Sequence, residues 1–134
     1  VVTTDLFFTV LEAAGVTPPA DAVRDGVSLA SLQKDPSSKL DRDALYFHFP
    51  HYYWNTSPVS AIRQGPWKLI EFYETGNREL YNLADDLSEG HDLAAEMPDE
   101  LARLTDRLHA WRDDVGARLP QPNPDYKPPK KKGQ

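Results

Sequence analysis

Two histidines within a run of aromatic residues are the first candidates for chemistry in this chain. The segment YFHFPHYYWNTSP, residues 46–58, contains His48 and His51 in an H-x-x-H arrangement. Histidines three residues apart on a helix can share a metal ion, but Pro50 between them favours extended backbone. No Asp, Glu or Cys lies at metal-ligand spacing from them, so we expect no complete metal site within this chain. The sequence also shows no accompanying nucleophile and orienting carboxylate for acid–base catalysis.

The aromatic residues that follow could form a recognition surface. Tyr52, Tyr53 and Trp54 come after the end of a predicted strand, and the polar residues and proline behind them indicate a loop. Aromatic side chains on a loop can stack on sugars, fill a seam between domains, or cover the core of their own domain. The residue pattern leaves these three interpretations open.

The remaining polar candidates favour structural roles. Lys68 alternates with apolar residues on a strand and is interpreted as a solvated or snorkelling side chain. Asp85 and Asp86 follow a strand and are expected to shape a turn. His91 and His109 are expected at the surface.

The composition excludes several classes of protein. The chain has 134 residues, 40% of them hydrophobic, which suffices for one domain with a core. Its net charge of −6 disfavours nucleic acid as a partner, because an acidic surface repels phosphates. The absence of cysteine rules out disulfides, thiolate ligands and a cysteine-derived cofactor within the chain. No apolar run approaches the ~20 residues that span a bilayer, so no membrane partner is expected. The chain begins without Met, which we interpret as a sign of a longer protein.

Helical periodicity marks two segments that would frame these candidates. Residues 5–14 place apolar side chains on one helical face, and Gly15 can end this helix in a left-handed conformation. A second helix should begin at Pro98 and carry an apolar stripe at three- and four-residue spacing. The members of this stripe are Leu101, Leu104, Leu108, Trp111 and Val115. Asp99 and Arg103 are expected to form an i,i+4 ion pair on its outer side.

Between the two helices the pattern predicts a small antiparallel sheet. The predicted strands are residues 44–49, 59–63, 67–73 and 79–83. Short turns at residues 64–66 and 75–77 would make sequential neighbours antiparallel. The fold class is therefore α+β, a four-stranded antiparallel sheet packed by a C-terminal helix.

Six stretches of the sequence follow one another in the order found in a known enzyme family. They are TDLFFTVLEAAGV, DGVSLASL, ALYFHFPHYY, SAIRQGPWKLIEFY, RELYNLADDLSEGHDLA and LHAWRDDVGARLPQPNPDY. In this order they resemble the C-terminal part of the type I sulfatases, the arylsulfatase-like enzymes of the alkaline phosphatase superfamily. The WKLI strand followed by ELYNL is the most specific of these stretches.

The resemblance implies four parts. Residues 1–15 would be the last helix of an N-terminal α/β sulfatase domain that is missing here, and residues 16–43 a connecting segment. A short helical turn is expected around residues 29–32. Residues 44–119 would form the C-terminal sulfatase subdomain of sheet and helix, and residues 120–134 a Pro/Lys-rich extended tail.

The resemblance also implies chemistry that this chain does not carry. The family hydrolyses sulfate esters with a formylglycine nucleophile, made from the first residue of a Cys/Ser-x-Pro-x-Arg motif. A divalent cation, usually Ca²⁺, would stabilise the negative charge that develops on the sulfuryl oxygens. This chain has no cysteine, and none of its serines begins the motif. No catalytic or metal-binding residue is therefore carried over, and we expect the chain to be inactive without its parent, a sulfatase that would be periplasmic or secreted in a bacterium.

What the resemblance does carry over is the edge of a substrate pocket, because residues 46–53 match a segment beside the active-site mouth. The substrate-rim candidates are His48, His51, Tyr52, Tyr53 and Trp54. The implied partners are the missing N-terminal catalytic domain and a sulfated carbohydrate or aryl sulfate substrate. The apolar face of the first helix would also allow the fragment to self-associate.

Two hypotheses of other classes stay open. The chain could be a free-standing carbohydrate-binding or interaction module that uses the aromatic loop 46–54. It could also be an inert structural domain whose apolar helix drives dimerisation.

Overall fold

The computed structural model describes residues 1–19, 21–22, 25–53 and 56–126, which belong to two structural units. The units are Val1–Asp43 and Ala44–Gln134. Among the described helices, none has the length and apolarity needed to cross a membrane.

The first unit contains helix α1, Asp5–Ala13, and the short helix α2, Ala30–Lys34. Gly15 ends α1 with a φ of 67°, as the sequence predicts. The residues of α1 that are buried are polar. The carboxylate of Asp5, which is completely buried, accepts hydrogen bonds from the backbone N–H groups of Val2 at 2.8 Å and Val27 at 3.1 Å. Arg42 completes its shell with a bidentate contact at 2.7 and 3.1 Å.

A second polar residue of α1 joins the helix to the connecting segment. The Thr9 hydroxyl donates to the Asp5 carbonyl at 2.7 Å and accepts the N–H of Leu29 at 2.9 Å. The opposite side of α1 is apolar and more than half exposed, at Leu6, Phe7 and Val10. The sequence therefore predicts the helix correctly but does not reveal that its polar side is the buried one.

The second unit contains the four-stranded sheet. Its strands are β1, Leu45–Phe49; β2, Val59–Gln64; β3, Trp67–Phe72; and β4, Arg78–Asn82. Neighbouring strands follow chain order and are all antiparallel. Gly65 and Gly76 have φ angles of 56° and 69° in the turns, a conformation that glycine adopts without steric cost. The α+β meander predicted from the sequence is confirmed.

Helix α3, Pro98–Asp114, packs on one face of this sheet. The core consists of fully buried side chains from the sheet and the helix, namely Ile62, Leu69, Leu80, Leu104 and Leu108. Tyr46 of β1 stacks on Trp111 of α3, with ring centroids 4.9 Å apart and planes 8° from parallel. Burial of each such aliphatic side chain contributes about 1.5–3 kcal/mol, so this interface is the main source of the unit's stability.

Two expectations for α3 are corrected by the structure. Val115 does not belong to the buried stripe, because the helix ends at Asp114 and the Val115 side chain is 50% exposed. Arg103 forms its ion pair with Glu100 at 2.6 Å, three residues away, instead of with Asp99. It also donates to the Gln64 amide oxygen at 2.7 Å, and this contact directs the guanidinium towards β2.

Candidate functional site

The aromatic loop leaves the sheet after β1 and has a hydrogen-bonded base. The Tyr53 N–H donates to the Thr56 carbonyl at 3.2 Å, and the Thr56 N–H donates back to the Tyr53 carbonyl at 2.7 Å. The Thr56 hydroxyl donates to the same carbonyl at 2.9 Å. Tyr52 and Tyr53 are 70% and 62% exposed. The fifth rim candidate, Trp54, lies outside the described residues.

His48 is held by partners from three parts of the second unit. Its Nδ1 atom lies 3.0 Å from the Ser60 hydroxyl of β2 and 2.8 Å from the Tyr73 hydroxyl, directly after β3. Its Nε2 atom lies 3.1 Å from the carbonyl oxygen of Arg118, beyond the end of α3. The imidazole therefore ties the segment after α3 to the sheet.

These contacts determine which nitrogen of His48 carries the proton. The Arg118 carbonyl can only accept, so Nε2 must be the donor. Nδ1 can then accept from a hydroxyl, and the Tyr73 and Ser60 hydroxyls are hydrogen-bonded to each other. Arg112 donates to the Tyr73 oxygen at 3.3 Å, which leaves the Tyr73 proton available for Nδ1 or Ser60. With Nε2–H donating to the Arg118 carbonyl and Nδ1 as an acceptor, the Tyr73 and Ser60 protons serve two of the three contacts among Nδ1, Tyr73 and Ser60.

The network around His48 continues to a buried carboxylate. Glu71 of β3 lies 3.2 Å from Arg112, 2.8 Å from His109 and 3.5 Å from Arg78. Arg112 and Glu71 have only 10% and 11% of their side chains exposed. His109, expected at the surface, keeps 38% of its side chain exposed and also contacts Glu71.

Sequence reasoning missed this network, although the sequence contains a signal for it. Alternate residues of a strand share a face. Ser60 therefore shares a face with the buried Ile62, and Glu71 and Tyr73 share one with the buried Leu69. Polar residues on the buried face of a strand require polar partners, and the partners come from α3 and β1.

His51 has different surroundings from His48. It is exposed, and its ring makes an edge contact with Phe49 at a centroid distance of 5.9 Å. The two histidines of the H-x-x-H motif therefore differ in role: the first is enclosed by hydrogen bonds, and the second is presented to solvent.

Tyr52 is anchored by a carboxylate from the turn after β3. Its hydroxyl donates a hydrogen bond to Glu74. This hydrogen bond, followed by desolvation and the nearby negative charge, raises the pKa of Tyr52 above its usual value. The Tyr52 ring is thus fixed in orientation while most of its surface stays accessible.

Several other polar residues have local partners. Lys68, expected as a solvated or snorkelling side chain, makes a bidentate contact with Glu89, both distances being 2.6 Å. Next to this pair, burial raises the pKa of Tyr81 to about 12, with its hydrogen bond to Glu79 as the second cause. Asp86 accepts from the Ser88 hydroxyl at 2.6 Å and from the His91 N–H at 2.8 Å, and so shapes its turn as expected.

The chemistry of a metal-dependent sulfatase requires a cluster of ligands. Within residues 1–19, 21–22, 25–53 and 56–126, no three His, Cys, Asp or Glu side chains gather in a way that could hold a metal ion. The described residues therefore do not form such a centre.

Comparison with known proteins identifies a family and a closely similar relative. The family described as N-sulphoglucosamine sulphohydrolase, C-terminal, matches residues 1–114. A protein named sulfatase from Formosa agariphila is 35% identical in an alignment 123 positions long, which covers 81% of this chain and 22% of the relative.

Solved structures show the same fold. BT4656, determined in complex with its substrate D-glucosamine-2-N,6-O-disulfate, is 26% identical and superposes with a TM-score of 0.67 over 84% of this chain and 24% of its own. A putative sulfatase from Bacteroides thetaiotaomicron is 25% identical, with a TM-score of 0.64 over 90% of this chain and 27% of its own. This chain therefore spans about a quarter of the length of the relatives it matches.

Proposed function

Because this chain belongs to the family of C-terminal domains of N-sulphoglucosamine sulphohydrolases, we propose that it serves a sulfuric ester hydrolase as scaffold and as the rim of the substrate pocket. The observation that carries the proposal is the family match over residues 1–114. The sheet and helix superpose on the corresponding quarter of BT4656, whose substrate is a sulfated sugar. The substrate class that follows for the parent enzyme is a sulfated carbohydrate, with an aryl sulfate as the simpler alternative.

The catalytic groups of the parent belong to the part of the protein that precedes this chain. We assign to that part the formylglycine nucleophile and a divalent cation, with Ca²⁺ as the expected ion. The support is chemical: the chain has no cysteine and no Ser-x-Pro-x-Arg motif, and its described residues offer no three-ligand cluster. The same reasoning makes the N-terminal catalytic domain the principal partner, with residues 1–15 as its last helix.

The residues of the proposed rim divide into one anchor and three contacts. His48 uses both ring nitrogens within the chain, so its part is to fix the strand end from which the loop begins. His51, Tyr52 and Tyr53 are exposed beyond that point and are available to the leaving-group side of a substrate. The His51 imidazole can donate a hydrogen bond to a sugar hydroxyl, the Tyr52 oxygen can accept one because its own proton is donated to Glu74, and the rings can stack on a sugar face. Trp54, the remaining rim candidate, is proposed from the sequence alone.

A chimeric enzyme tests the proposal. The segment of the Formosa agariphila sulfatase that matches this chain is replaced by residues 1–134, and turnover of an aryl sulfate and of D-glucosamine-2-N,6-O-disulfate is measured. We expect turnover by the chimera and none by the 134-residue chain. In the chimera, His51→Ala should raise KM by about tenfold with little change in kcat, because it removes uniform binding.

The matched control is His91→Ala, which removes an exposed histidine that pairs with Glu96 outside the aromatic loop. It should leave KM within about twofold of the unsubstituted chimera. Turnover by the purified 134-residue chain, with contaminating sulfatase excluded, would overturn the proposal. Equal KM values for the His51 and His91 variants would remove His51 from the rim.

The hypothesis of a free-standing sugar-binding module makes a different prediction for the same loop. Titration of the isolated chain with sugars would then change the tryptophan fluorescence, and Tyr53→Ala and Trp54→Ala would abolish the change. Loss of the signal in Tyr53→Ala and Trp54→Ala would favour the free-standing module, and a silent titration would favour the sulfatase proposal.

A further inference from the structure

A second feature of the aromatic loop is a cavity between the loop, the turn after β3 and the segment that follows α3. The cavity has a volume of about 310 Å³. Its walls are Tyr52, Tyr73 and Glu74 on one side and residues 120–122 on the other, with the buried Pro58 between them. A volume near 300 Å³ lies at the lower end of sites that hold small molecules, which suits one sugar ring.

The walls of this cavity are fixed before any ligand arrives. The Tyr52 hydroxyl is bound to the Glu74 carboxylate. The Tyr73 hydroxyl is held by Arg112, His48 and Ser60. The opposite wall begins two residues after Arg118, whose carbonyl accepts from His48, and it contains two prolines with restricted backbones. A preformed cavity binds with less loss of conformational entropy than a loop that must order itself.

The lining of the cavity is amphipathic. Aromatic rings and prolines supply flat apolar surface, on which the C–H face of a pyranose can pack. The Glu74 carboxylate accepts hydrogen bonds, and each of its oxygens has more than one acceptor position, so the bond from Tyr52 does not exhaust it. Gln121 adds an amide that can both donate and accept. A sugar hydroxyl bound to a carboxylate makes a charge-assisted hydrogen bond, one of the stronger neutral-ligand contacts.

The charge of the lining selects against sulfate. Glu74 is an anion, and the described residues that line the cavity include no lysine, arginine or histidine. A sulfate group placed here would meet a like charge, and the Arg112 guanidinium that contacts Tyr73 is already paired with Glu71. A sulfated ring is therefore disfavoured in this cavity, while an uncharged ring is accommodated.

We propose that this cavity is an accessory subsite for an unsulfated pyranose ring, recognised by the Tyr52 ring and the Glu74 carboxylate. The inference rests on the proposed function in one respect, namely that the substrate is a sulfated glycan. The ring that bears the reacting sulfate would then lie outside this cavity, and an unsulfated neighbouring ring would occupy it. Recognition of the sugar ring itself depends only on the residues described here.

Amide chemical shifts of the ¹⁵N-labelled 134-residue chain test the subsite. The probes are methyl β-D-galactopyranoside, N-acetyl-D-glucosamine and N-acetyl-D-glucosamine 6-sulfate. At least one neutral sugar should give saturable shifts centred on Tyr52, Glu74 and Gln121. Tyr52→Ala and Glu74→Ala should each weaken this binding by about tenfold, the size expected for loss of a charge-assisted contact. His91→Ala, at an exposed aromatic side chain outside both the rim and the cavity lining, should change it by less than about twofold.

A further substitution tests the effect of the Glu74 charge on selectivity. Glu74→Gln keeps the shape and the hydrogen bond from Tyr52 but removes the negative charge. This substitution should lower the affinity for the neutral sugar. It should also reduce the difference in affinity between N-acetyl-D-glucosamine and N-acetyl-D-glucosamine 6-sulfate. A well-dispersed spectrum of each variant establishes that the unit is folded.

Three outcomes would overturn the subsite: no saturable shifts with any neutral sugar, shifts that His91→Ala abolishes and Tyr52→Ala does not, or equal affinity of the unsubstituted chain for both N-acetyl-D-glucosamine forms. The sulfatase proposal is tested independently, by the turnover of the chimera. If the chimera is active but no sugar causes chemical-shift changes, the subsite is excluded and the sulfatase function stands. If sugars cause saturable chemical-shift changes but the chimera is inactive, the subsite stands and the sulfatase function is excluded.

Discussion

At the scale of single residues, hydrogen-bond partners decide what a side chain contributes. His48 and His51 have the same chemistry and lie three residues apart, yet the first makes three hydrogen bonds within the chain and the second is exposed. Their residue types make both of them candidates for a pocket rim. Only the partners of each ring distinguish a residue that positions the loop from one that is available to a ligand.

Asp5 supports a prediction at this scale. Hydrogen bonds from Arg42 hold the pKa of Asp5 well below its usual range, against the opposing effect of burial. A depressed folded-state pKa means that the stabilisation is complete above the unfolded value, near pH 4, and is lost as the pH falls below it. In Arg42→Ala the buried carboxylate loses its ion pair, a change that typically costs about 3–5 kcal/mol.

Hydrogen exchange of the Val27 and Leu29 amides provides the measurement, because these groups donate to Asp5 and Thr9. Exchange at pH 7 should be faster by several orders of magnitude in Arg42→Ala than in the unsubstituted chain. Lys34→Ala, at an exposed position of α2, should leave it unchanged. Equal protection in the Arg42 and Lys34 variants would show that the ion pair does not hold this unit together.

At the scale of elements, α3 is attached to the sheet by an apolar layer and by a polar network at its edge. The apolar layer follows from helical spacing and strand alternation, as shown by Leu104, Leu108 and Leu69. The polar network connects Glu71 of β3 with Arg112 of α3 and then with Tyr73. Arg112 also lies over the Tyr73 ring, 5.5 Å from its centroid, which adds a cation–π contact.

A double-mutant cycle on Glu71 and Arg112 tests the importance of this network. Glu71→Leu leaves a largely buried guanidinium without its carboxylate and should lower the free energy of unfolding by about 3 kcal/mol. Adding Arg112→Met removes the uncompensated charge, so the double variant should be more stable than Glu71→Leu. Urea unfolding at pH 7 gives the four free energies. Additive effects of the two substitutions would contradict a direct coupling.

At the scale of the whole molecule, exposed apolar surface has consequences for the isolated chain. The Leu6, Phe7 and Val10 side chains of α1 are more than half exposed. Phe47, on the outer face of the sheet, is 50% exposed. Patches of this kind mark surfaces that bind other proteins or cause association. In the parent enzyme we assign the α1 surface to the catalytic domain, and in the isolated chain it is available for self-association.

Sedimentation velocity over a series of concentrations tests this expectation. The weight-average sedimentation coefficient of the chain should increase with concentration, because two apolar helix faces bury each other. Phe7→Glu should abolish the increase by placing a charge in that contact. Phe47→Glu, at an equally exposed phenylalanine on the sheet, should preserve it. The reverse result would assign the contact to the sheet, and a concentration-independent coefficient for the unsubstituted chain would exclude self-association.

The sequence by itself determined the elements, their order and the antiparallel connections. Strand alternation, helical spacing and turn residues are local signals, and short turns leave sequential strands little choice of neighbour. The order of six stretches also indicated the sulfatase family. The absence of a nucleophile motif was likewise readable from the residues.

Tertiary structure alone decided which polar residues are buried and which partners they have. Arg42 lies 37 residues from Asp5, and Arg118 lies 70 residues from His48. Local periodicity carries no information about pairs so far apart, because their contact depends on how separate elements pack. The same reason applies to the cavity of Tyr52 and Glu74, whose opposite wall comes from the segment after α3. The sequence therefore shows which residue types are available for binding or catalysis. Their roles depend on long-range packing, which only the folded molecule specifies.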